Sequence, residues 1–271
     1  MRRAYLLLLT CMLFVLFVQS SEAGESIEFD GLIEPYMVVK VGSGVPGILE
    51  TVTVDRGDFV EKGQVLAELQ SGVEKATMGL ARARAQMETP IELKRVHLEF
   101  EGRKYQRLQE LYKKKAIPFH ELDEAETNRM LAESELQEAI ETKRLAELQL
   151  EHAIEVLKLR SIRSPITGFV VERYLSPGEY VEDQPILKLA QLNPLNVEVI
   201  APVEFLGSIR VGTRAKVRPE APVGGEYVAL VTIVDRVVDA ASGTFGVRLE
   251  LPNEKYRLPA GLKCIVLFPG H

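Results

Sequence analysis

The side chains best suited to catalysis or metal binding are few in this chain of 271 residues. They are four histidines and two cysteines, at His97, His120, His152, His271, Cys11 and Cys264. Three of the histidines fall in one helix-forming segment at separations too wide for a single ligand set, and no His-x-x-His spacing accompanies them. The sequence also contains no glycine-rich phosphate loop and no recognisable set of serine, histidine and aspartate. We therefore expect no metal, no cofactor, no catalytic residue and no enzymatic activity.

Acyl carriage is the other chemistry that the residue types offer. The run Glu74-Lys75-Ala76 is similar to the motif that presents the modified lysine of lipoyl and biotinyl carriers. A carrier lysine needs a tight, exposed turn with a return strand within a few residues, whereas Lys75 begins a helix-forming segment of about 90 residues. We expect Lys75 to be unmodified. A lipoyl- or biotinyl-like accessory domain of an enzyme complex is the alternative from a different functional class.

Two β-rich segments, residues 45–69 and 166–190, repeat one pattern after a shift of 121 positions. The identical pairs are Gly47/Gly168, Gly57/Gly178, Val60/Val181, Glu61/Glu182 and Leu66/Leu187. Glycine at such turns permits a positive φ angle. Because neither short copy can bury its apolar face alone, we expect the two copies to be halves of one β sandwich.

The segment between the copies is rich in strong helix formers, and its apolar residues recur at spacings of three and four. In the first arm they are Val73, Ala76, Leu80, Ala83 and Met87, followed by Ile91, Leu98, Tyr105, Leu108 and Tyr112. In the second arm they are Leu122, Ala125, Ala132, Leu136, Ala139, Ala146, Leu150, Ala153 and Leu157, with Arg129 and Lys143 as interruptions. This pattern predicts an antiparallel coiled-coil hairpin. Pro90 predicts a break near Thr89, and Pro118 suits the first turn of the second arm.

The remainder of the chain returns to short β segments punctuated by glycine and proline, which is typical of a small barrel. We expect strands at residues 196–200, 215–218, 227–235, 245–251 and 264–268, and a short helix at 203–213.

The N-terminus has the features of a secretion signal. Arg2 and Arg3 precede an apolar stretch of 15 residues, 4–18, and cleavage is expected after Ala23. A retained membrane anchor is the alternative, although the stretch is shorter than the ~20 residues that span a bilayer. The net charge of −6 argues against a nucleic-acid partner.

The predicted fold class is therefore an elongated α+β protein: a split biotinyl/lipoyl-like sandwich with an inserted coiled-coil hairpin, followed by a small β-barrel. The expected divisions are a signal peptide, an N-terminal segment with a strand near 38–41, a first sandwich half, the hairpin, a second sandwich half and the barrel. Their bounds are 1–23, 24–44, 45–71, 72–160, 161–192 and 193–271.

This order of parts resembles the membrane fusion proteins, or periplasmic adaptor subunits. The resemblance rests on "GDFVEKGQVLAEL", "LYKKKAIPFHELDEAE", "IRSPITGFVVERYLSPGEYV" and "GTFGVRLELPNEKYRLPAGLKCIVLF". It implies a periplasmic protein, exported by a cleaved signal and associated with the envelope membranes. It also implies a homo-oligomer, usually a ring of six, that links an inner-membrane transporter to an outer-membrane channel for efflux. A transporter of the RND type is expected, with an ABC-type exporter or a type I secretion system as the alternative.

The resemblance further implies that channel contacts lie at the hairpin tip. Arg107 and Leu111 are in register with the family's tip motif, and Pro118 stands where the family has serine. Because the sequence ends directly after the barrel, we also expect the barrel itself, or a second adaptor chain, to replace the family's membrane-proximal domain.

Overall fold

The computed structural model describes residues 27–270, so the predicted signal segment, residues 1–23, lies outside the described residues. The strands are β1 (Ile27–Val41), β2 (Gly47–Val52), β3 (Phe59–Val60), β4 (Val65–Leu69), β5 (Ser161–Arg163), β6 (Gly168–Arg173), β7 (Tyr180–Val181), β8 (Leu187–Pro202), β9 (Arg214–Pro219), β10 (Tyr227–Val234), β11 (Thr244–Leu251) and β12 (Leu262–Phe268). The helices are α1 (Gly72–Ala85), α2 (Thr89–Lys113) and α3 (Phe119–Lys158). Among these residues no helix is long and apolar enough to cross a membrane.

The two repeated segments pair with each other, so the sandwich expected from the repeat is present. Strand β2 pairs with β7, and β3 pairs with β6, each time joining one copy to the other. Gly57 and Gly178 occupy equivalent turns with φ angles of +95° and +93°. Val60 and Val181 are both fully buried in the shared core. The repeat therefore encodes one domain whose halves are brought together in space.

The barrel is formed by β12, β9, β10, β11 and β8 in that order, and β1 closes it by pairing with both β12 and β8. All five strands expected in this region are found. The short helix expected at 203–213 is wrong, because only Val203–Phe205 forms one turn of 3₁₀ helix. Leu206 is already extended, and Gly207 then adopts a φ of +95°, which ends the turn.

Strand β1 extends much further than the sequence suggested. Only residues 38–41 were expected to form a strand, yet β1 begins at Ile27 and is 15 residues long. Its first part pairs with β12 and β8 in the barrel, and its last part pairs with β8 in the sandwich, with a register shift between Pro35 and Met37. Charged residues and Gly31 interrupt the apolar pattern of this segment, and for that reason the sequence did not indicate a strand. In the structure the side chains of β1 alternate between its two faces, and Ile33 is fully buried.

The three helices form a hairpin in which α1 and α2 run antiparallel to α3. Ion pairs join Lys94 to Glu135 at 2.9 Å and Lys143 to Glu88. The break predicted near Thr89 is confirmed, since α1 ends at Ala85 and α2 starts at Thr89, with three non-helical residues between them.

The seam predicted for the first turns of the hairpin is wrong in register. Val73, Leu80 and Met87 are 77%, 57% and 57% exposed, whereas Ala81 and Ala85 are buried against α3. The non-helical residues 86–88 reset the helical phase between α1 and α2. Small alanines let α1 approach α3 closely, so the larger side chains are left on the surface.

Candidate partner-binding site at the hairpin tip

The backbone of the tip satisfies its own hydrogen bonds. The Ala116 amide donates to the Leu111 carbonyl at 2.9 Å, and the Lys115 amide donates to the Tyr112 carbonyl at 2.8 Å. With Lys115 at a φ of +55°, this is a Schellman motif, which usually has glycine at the left-handed position. The turn is therefore defined by the chain itself, and the side chains around it point outward.

The structure brings the three sequence-predicted residues to the same end of the hairpin. Arg107 and Leu111 are exposed on successive turns of α2. Pro118 is also exposed, but it caps α3 in extended conformation, with φ −73° and ψ 160°, and does not enter the first turn as expected. Arg107 makes no ion pair within the described residues, so its guanidinium is available to a partner.

An aromatic pair that the sequence reasoning missed crosses the turn. The rings of Tyr112 and Phe119 meet edge to face with centroids 6.0 Å apart. Phe119 is nevertheless 62% exposed. The only signal in the sequence was one aromatic residue on either side of a predicted turn. Lys113 is ion-paired with Glu110 at 3.2 Å, but Lys114 and Lys115 are exposed beside the aromatic pair, so the tip presents an apolar surface with a cationic rim.

Charged residues within the hairpin seam have partners of their own. Arg129, expected to interrupt the seam, lies over the Tyr105 ring at 5.8 Å. The Lys94 ammonium donates a hydrogen bond to Glu135 and thereby lowers the pKa of that carboxyl, an effect opposed by burial. Glu101 is buried in the seam, with Lys104 at 3.6 Å. The contacts of Lys94 with Glu135 and of Arg129 with Tyr105 join α2 to α3 and fix their register below the tip, whereas Glu101 and Lys104 both belong to α2.

Two further apolar surfaces lie along the sides of the hairpin. The first, the outer stripe, is on the face of α2 that points away from α3 and comprises exposed Leu93, Val96 and Phe100. The second, the lateral groove, is a cavity of about 630 Å³ between α1 and α3. It is lined by large apolar side chains, including Val73, Leu80, Leu145, Leu148 and Val156. Exposed apolar surface of this extent is typical of protein interaction sites.

The groups that could carry other chemistry are dispersed. Among residues 27–270, no cluster of three or more His, Cys, Asp or Glu is placed to hold a metal ion. Burial raises the pKa of the Cys264 thiol to about 11, which disfavours its reactive thiolate. Lys75 lies in the first turn of α1 and not on a β turn, so the geometry of a carrier lysine is not formed.

Comparison with known proteins matches both β domains to described families. Residues 37–191 match the CzcB-like, barrel-sandwich hybrid domain, and residues 195–270 match the CusB-like, beta-barrel domain.

Solved structures show the same fold at low sequence identity. MacA from Actinobacillus actinomycetemcomitans superposes with a TM-score of 0.75 at 23% identity, covering 90% of this chain and 79% of that chain. The membrane fusion protein Spr0693 from Streptococcus pneumoniae R6 gives a TM-score of 0.61 at 16% identity, covering 91% and 100%. An uncharacterized protein of Haemophilus influenzae is 24% identical over 247 residues, which is 90% of this chain but only 58% of that protein. The present chain thus spans less than two thirds of that relative's length.

Proposed function

We propose that this chain, which belongs to the CzcB-like barrel-sandwich hybrid family of membrane fusion proteins, links an inner-membrane transporter to an outer-membrane channel. The family consists of adaptors of efflux systems, which are periplasmic and associated with the cell envelope. In this proposal the sandwich and barrel face the transporter, and the coiled-coil hairpin reaches the channel. In this role the chain bridges the two membranes and performs no bond chemistry of its own.

The hairpin tip is the observation that carries the proposal. Helix α3 has 40 residues and is therefore roughly 60 Å long at 1.5 Å per residue. At the tip of the hairpin, Arg107 and Leu111 of α2 are exposed beside an aromatic pair that the fold itself does not bury. A surface of apolar side chains with a cationic rim fits a partner that offers an apolar crevice bordered by carboxylates.

The transporter that best fits the proposal is of the RND type. The family model that matches the barrel carries RND in its name and is described as the CusB-like, beta-barrel domain. This match supports an RND-type transporter, because the barrel is the part that this adaptor would present to the transporter. Within this proposal we assign the transporter contact to the barrel.

A homo-oligomer, with six subunits as the expected number, is part of the same proposal. The lateral groove and the outer stripe lie on different faces of one hairpin, so a chain cannot cover both by itself. Contacts between unlike faces of identical subunits are heterologous and close into rings when the rotation allows it. Both surfaces therefore support side-by-side packing of neighbouring hairpins.

Export by a cleaved signal completes the proposal. The apolar residues 4–18 and Ala23 lie outside the described residues, so the sequence alone supports this point. N-terminal sequencing of the protein recovered from the periplasm should give a start at Gly24. A start at Met1 would instead indicate a retained anchor.

Co-purification from detergent-solubilised membranes tests the adaptor function. We would tag the C-terminus of the full chain and of the double variant Arg107→Asp/Leu111→Asp, and identify bound proteins by mass spectrometry. Both forms should retain an inner-membrane transporter, and only the unchanged chain should retain an outer-membrane channel.

The matched control is Arg95→Asp, which changes an exposed arginine on α2 whose ion pair with Glu92 is also exposed. This variant should retain both partners. If neither the transporter nor the channel is recovered with the unchanged chain, the adaptor function is wrong. If the tip variant keeps the channel, the adaptor function survives and the assignment of Arg107 and Leu111 is wrong.

A further inference from the structure

The sandwich and the barrel are joined by a narrow two-stranded connection. Strands β1 and β8 pass through both domains, but β12 leaves β1 at Ile33, and β11 leaves β8 at Leu195. On the sandwich side, β6 reaches β8 only as far as Ala190. Between these points the sheet is two strands wide, and the register shift between Pro35 and Met37 falls there. A two-stranded ribbon with a bulge twists and bends more readily than a wide sheet.

A loop from the barrel lies beside this junction and is hydrogen-bonded to it. We call residues 252–257, which follow β11, the latch loop. The buried side chain of Asn253 donates to the Leu192 carbonyl at 2.9 Å, and the backbone amide of Asn253 donates to Asn193 Oδ1 at 3.0 Å. The same side chain donates to the Leu258 carbonyl at 2.9 Å and accepts from the Leu258 amide at 3.2 Å. All of its polar groups are thus used to fix the loop beside the connection.

The end of the latch loop reaches the other domain. The Tyr256 ring lies 5.4 Å from Phe59 and 5.3 Å from Phe169, and those two rings are 5.3 Å apart. Phe59 and Phe169 face each other on the paired strands β3 and β6 of the sandwich. The three rings form a closed cluster in which one member belongs to the barrel and two belong to the sandwich.

Tyr256 adopts a backbone conformation that a tyrosine disfavours. Its φ angle is +50°, and its amide donates to the Asn253 carbonyl at 2.8 Å. The Cβ atom makes this left-handed region unfavourable for residues other than glycine. The aromatic contacts across the domain junction therefore offset a local strain in the loop. Phe59 is 43% exposed, so Tyr256 can separate from the cluster without opening either core.

We propose that Tyr256 is a releasable latch that sets the angle between the barrel and the sandwich with its hairpin. In the docked state the latch loop adds a third connection beside β1 and β8, and the two domains move as one body. In the released state the connection bends at the register shift between Pro35 and Met37. A displacement of the barrel is then passed to the hairpin only while the latch is docked. This device does not depend on which transporter or channel the chain binds.

Hydrogen–deuterium exchange of the purified full chain tests the latch. Tyr256→Ala should increase exchange at least about tenfold in peptides that cover residues 34–38 and 190–196, because the released connection opens more often. Peptides from the barrel core, such as β9 and β10, should be unchanged. Phe59→Ala, which removes the latch contact from the other domain, should accelerate the same peptides. Combining the two substitutions should add little to either one, because they break one contact.

Two controls separate the latch from a general loss of structure. Tyr256→Phe keeps the ring and should exchange as the unchanged chain does. Tyr180→Ala removes an exposed tyrosine of the sandwich that has no ring contact within the described residues, and it should leave residues 34–38 unaffected. The latch is refuted if Tyr256→Ala or Phe59→Ala accelerates exchange only in residues 252–257, or uniformly across the barrel.

Discussion

At its root the hairpin is held by Arg160, whereas at its tip Arg107 makes no ion pair within the described residues. The Arg160 guanidinium donates to the Pro46 carbonyl at 2.9 Å and to Glu74 at 2.6 Å. Gly47 leaves the space for it, since a Cβ at that position would lie 2.8 Å from Arg160 Nη1. Two arginines with the same chemistry thus serve different ends. Arg160 has its partners inside the chain, so we expect it to contribute to stability. Arg107 has no ion pair within the described residues, and its contact with a channel stays a prediction.

The largest expected effect is at the root. Arg160→Ala removes two hydrogen bonds and leaves the Pro46 carbonyl and the Glu74 carboxylate without their partner. We expect a loss of about 1.5–3 kcal/mol in the free energy of unfolding, because a hydrogen bond between charged groups contributes about that much. The carbonyl of the exposed Pro46 can be hydrated instead and adds little. Urea unfolding followed by circular dichroism would measure it.

The control for this prediction is Arg163, which lies three residues after Arg160 at the end of β5. Arg163 is exposed and donates to a single carbonyl, that of Gly63, at 2.9 Å. Arg163→Ala should therefore cost less than about 1 kcal/mol. Equal losses for the two variants would show that the root is no more tightly anchored than any surface arginine.

A smaller effect is expected from the aromatic pair at the tip. The contact between Tyr112 and Phe119 joins the two arms of the hairpin, but it is largely exposed. A double-mutant cycle with Tyr112→Ala and Phe119→Ala should give a coupling energy of about 1 kcal/mol. A coupling near zero would mean that these rings contribute nothing to closing the turn and are kept at the surface for a partner alone.

A substitution at Lys115 should increase the free energy of unfolding, whereas the substitutions above decrease it. Lys115 has a φ of +55°, so Lys115→Gly should stabilise the protein by about 0.5–1 kcal/mol by relieving the left-handed strain. Lys114 precedes it with a φ of −84° and gains nothing from glycine. Lys114→Gly should therefore destabilise the protein by a similar amount. If both substitutions shift the unfolding free energy in the same direction, the tip is not held in the Schellman geometry.

The features that could be predicted from the sequence are those that depend on local pattern. The turn glycines Gly57 and Gly178 marked the two sandwich halves, and Pro90 marked the break between α1 and α2. Both signals depend on a few neighbouring residues, and the structure has each where it was expected.

The features that were missed depend on contacts between distant segments. The phase of α1 against α3 was misjudged because Ala81 and Ala85 match the helical period as well as Leu80 does, and only the close approach of the helices selects them. The latch was missed because Phe59 and Tyr256 are almost 200 residues apart in the chain. No periodicity connects such residues, and the tip contacts Arg107, Leu111 and Pro118 stay predictions that rest on resemblance.

The smallest expected effect is a pH dependence at the root. The backbone hydrogen bond at the start of α1 lowers the pKa of Glu74 below its ordinary value of 4.5, Arg160 lowers it further, and burial opposes both. A carboxyl whose pKa is lower in the folded state contributes stability above its ordinary pKa and loses that contribution as the pH falls below it. The stability gap between the unchanged chain and Glu74→Gln should therefore be constant from pH 7 to about pH 5 and shrink below pH 4.5.

The order of these causes makes the test sharper. Because the backbone contribution is the largest, a chain with Arg160→Ala should retain part of the acid dependence that Glu74→Gln removes. Unfolding by urea at pH 7 and at pH 3.5 for the two single variants and their combination would separate the two causes. If Arg160→Ala alone abolishes the dependence, the ion pair and not the helix start controls this carboxyl. The anchoring of the root would then depend on the ion pair between Glu74 and Arg160, and Arg107 at the tip has no such pair within the described residues.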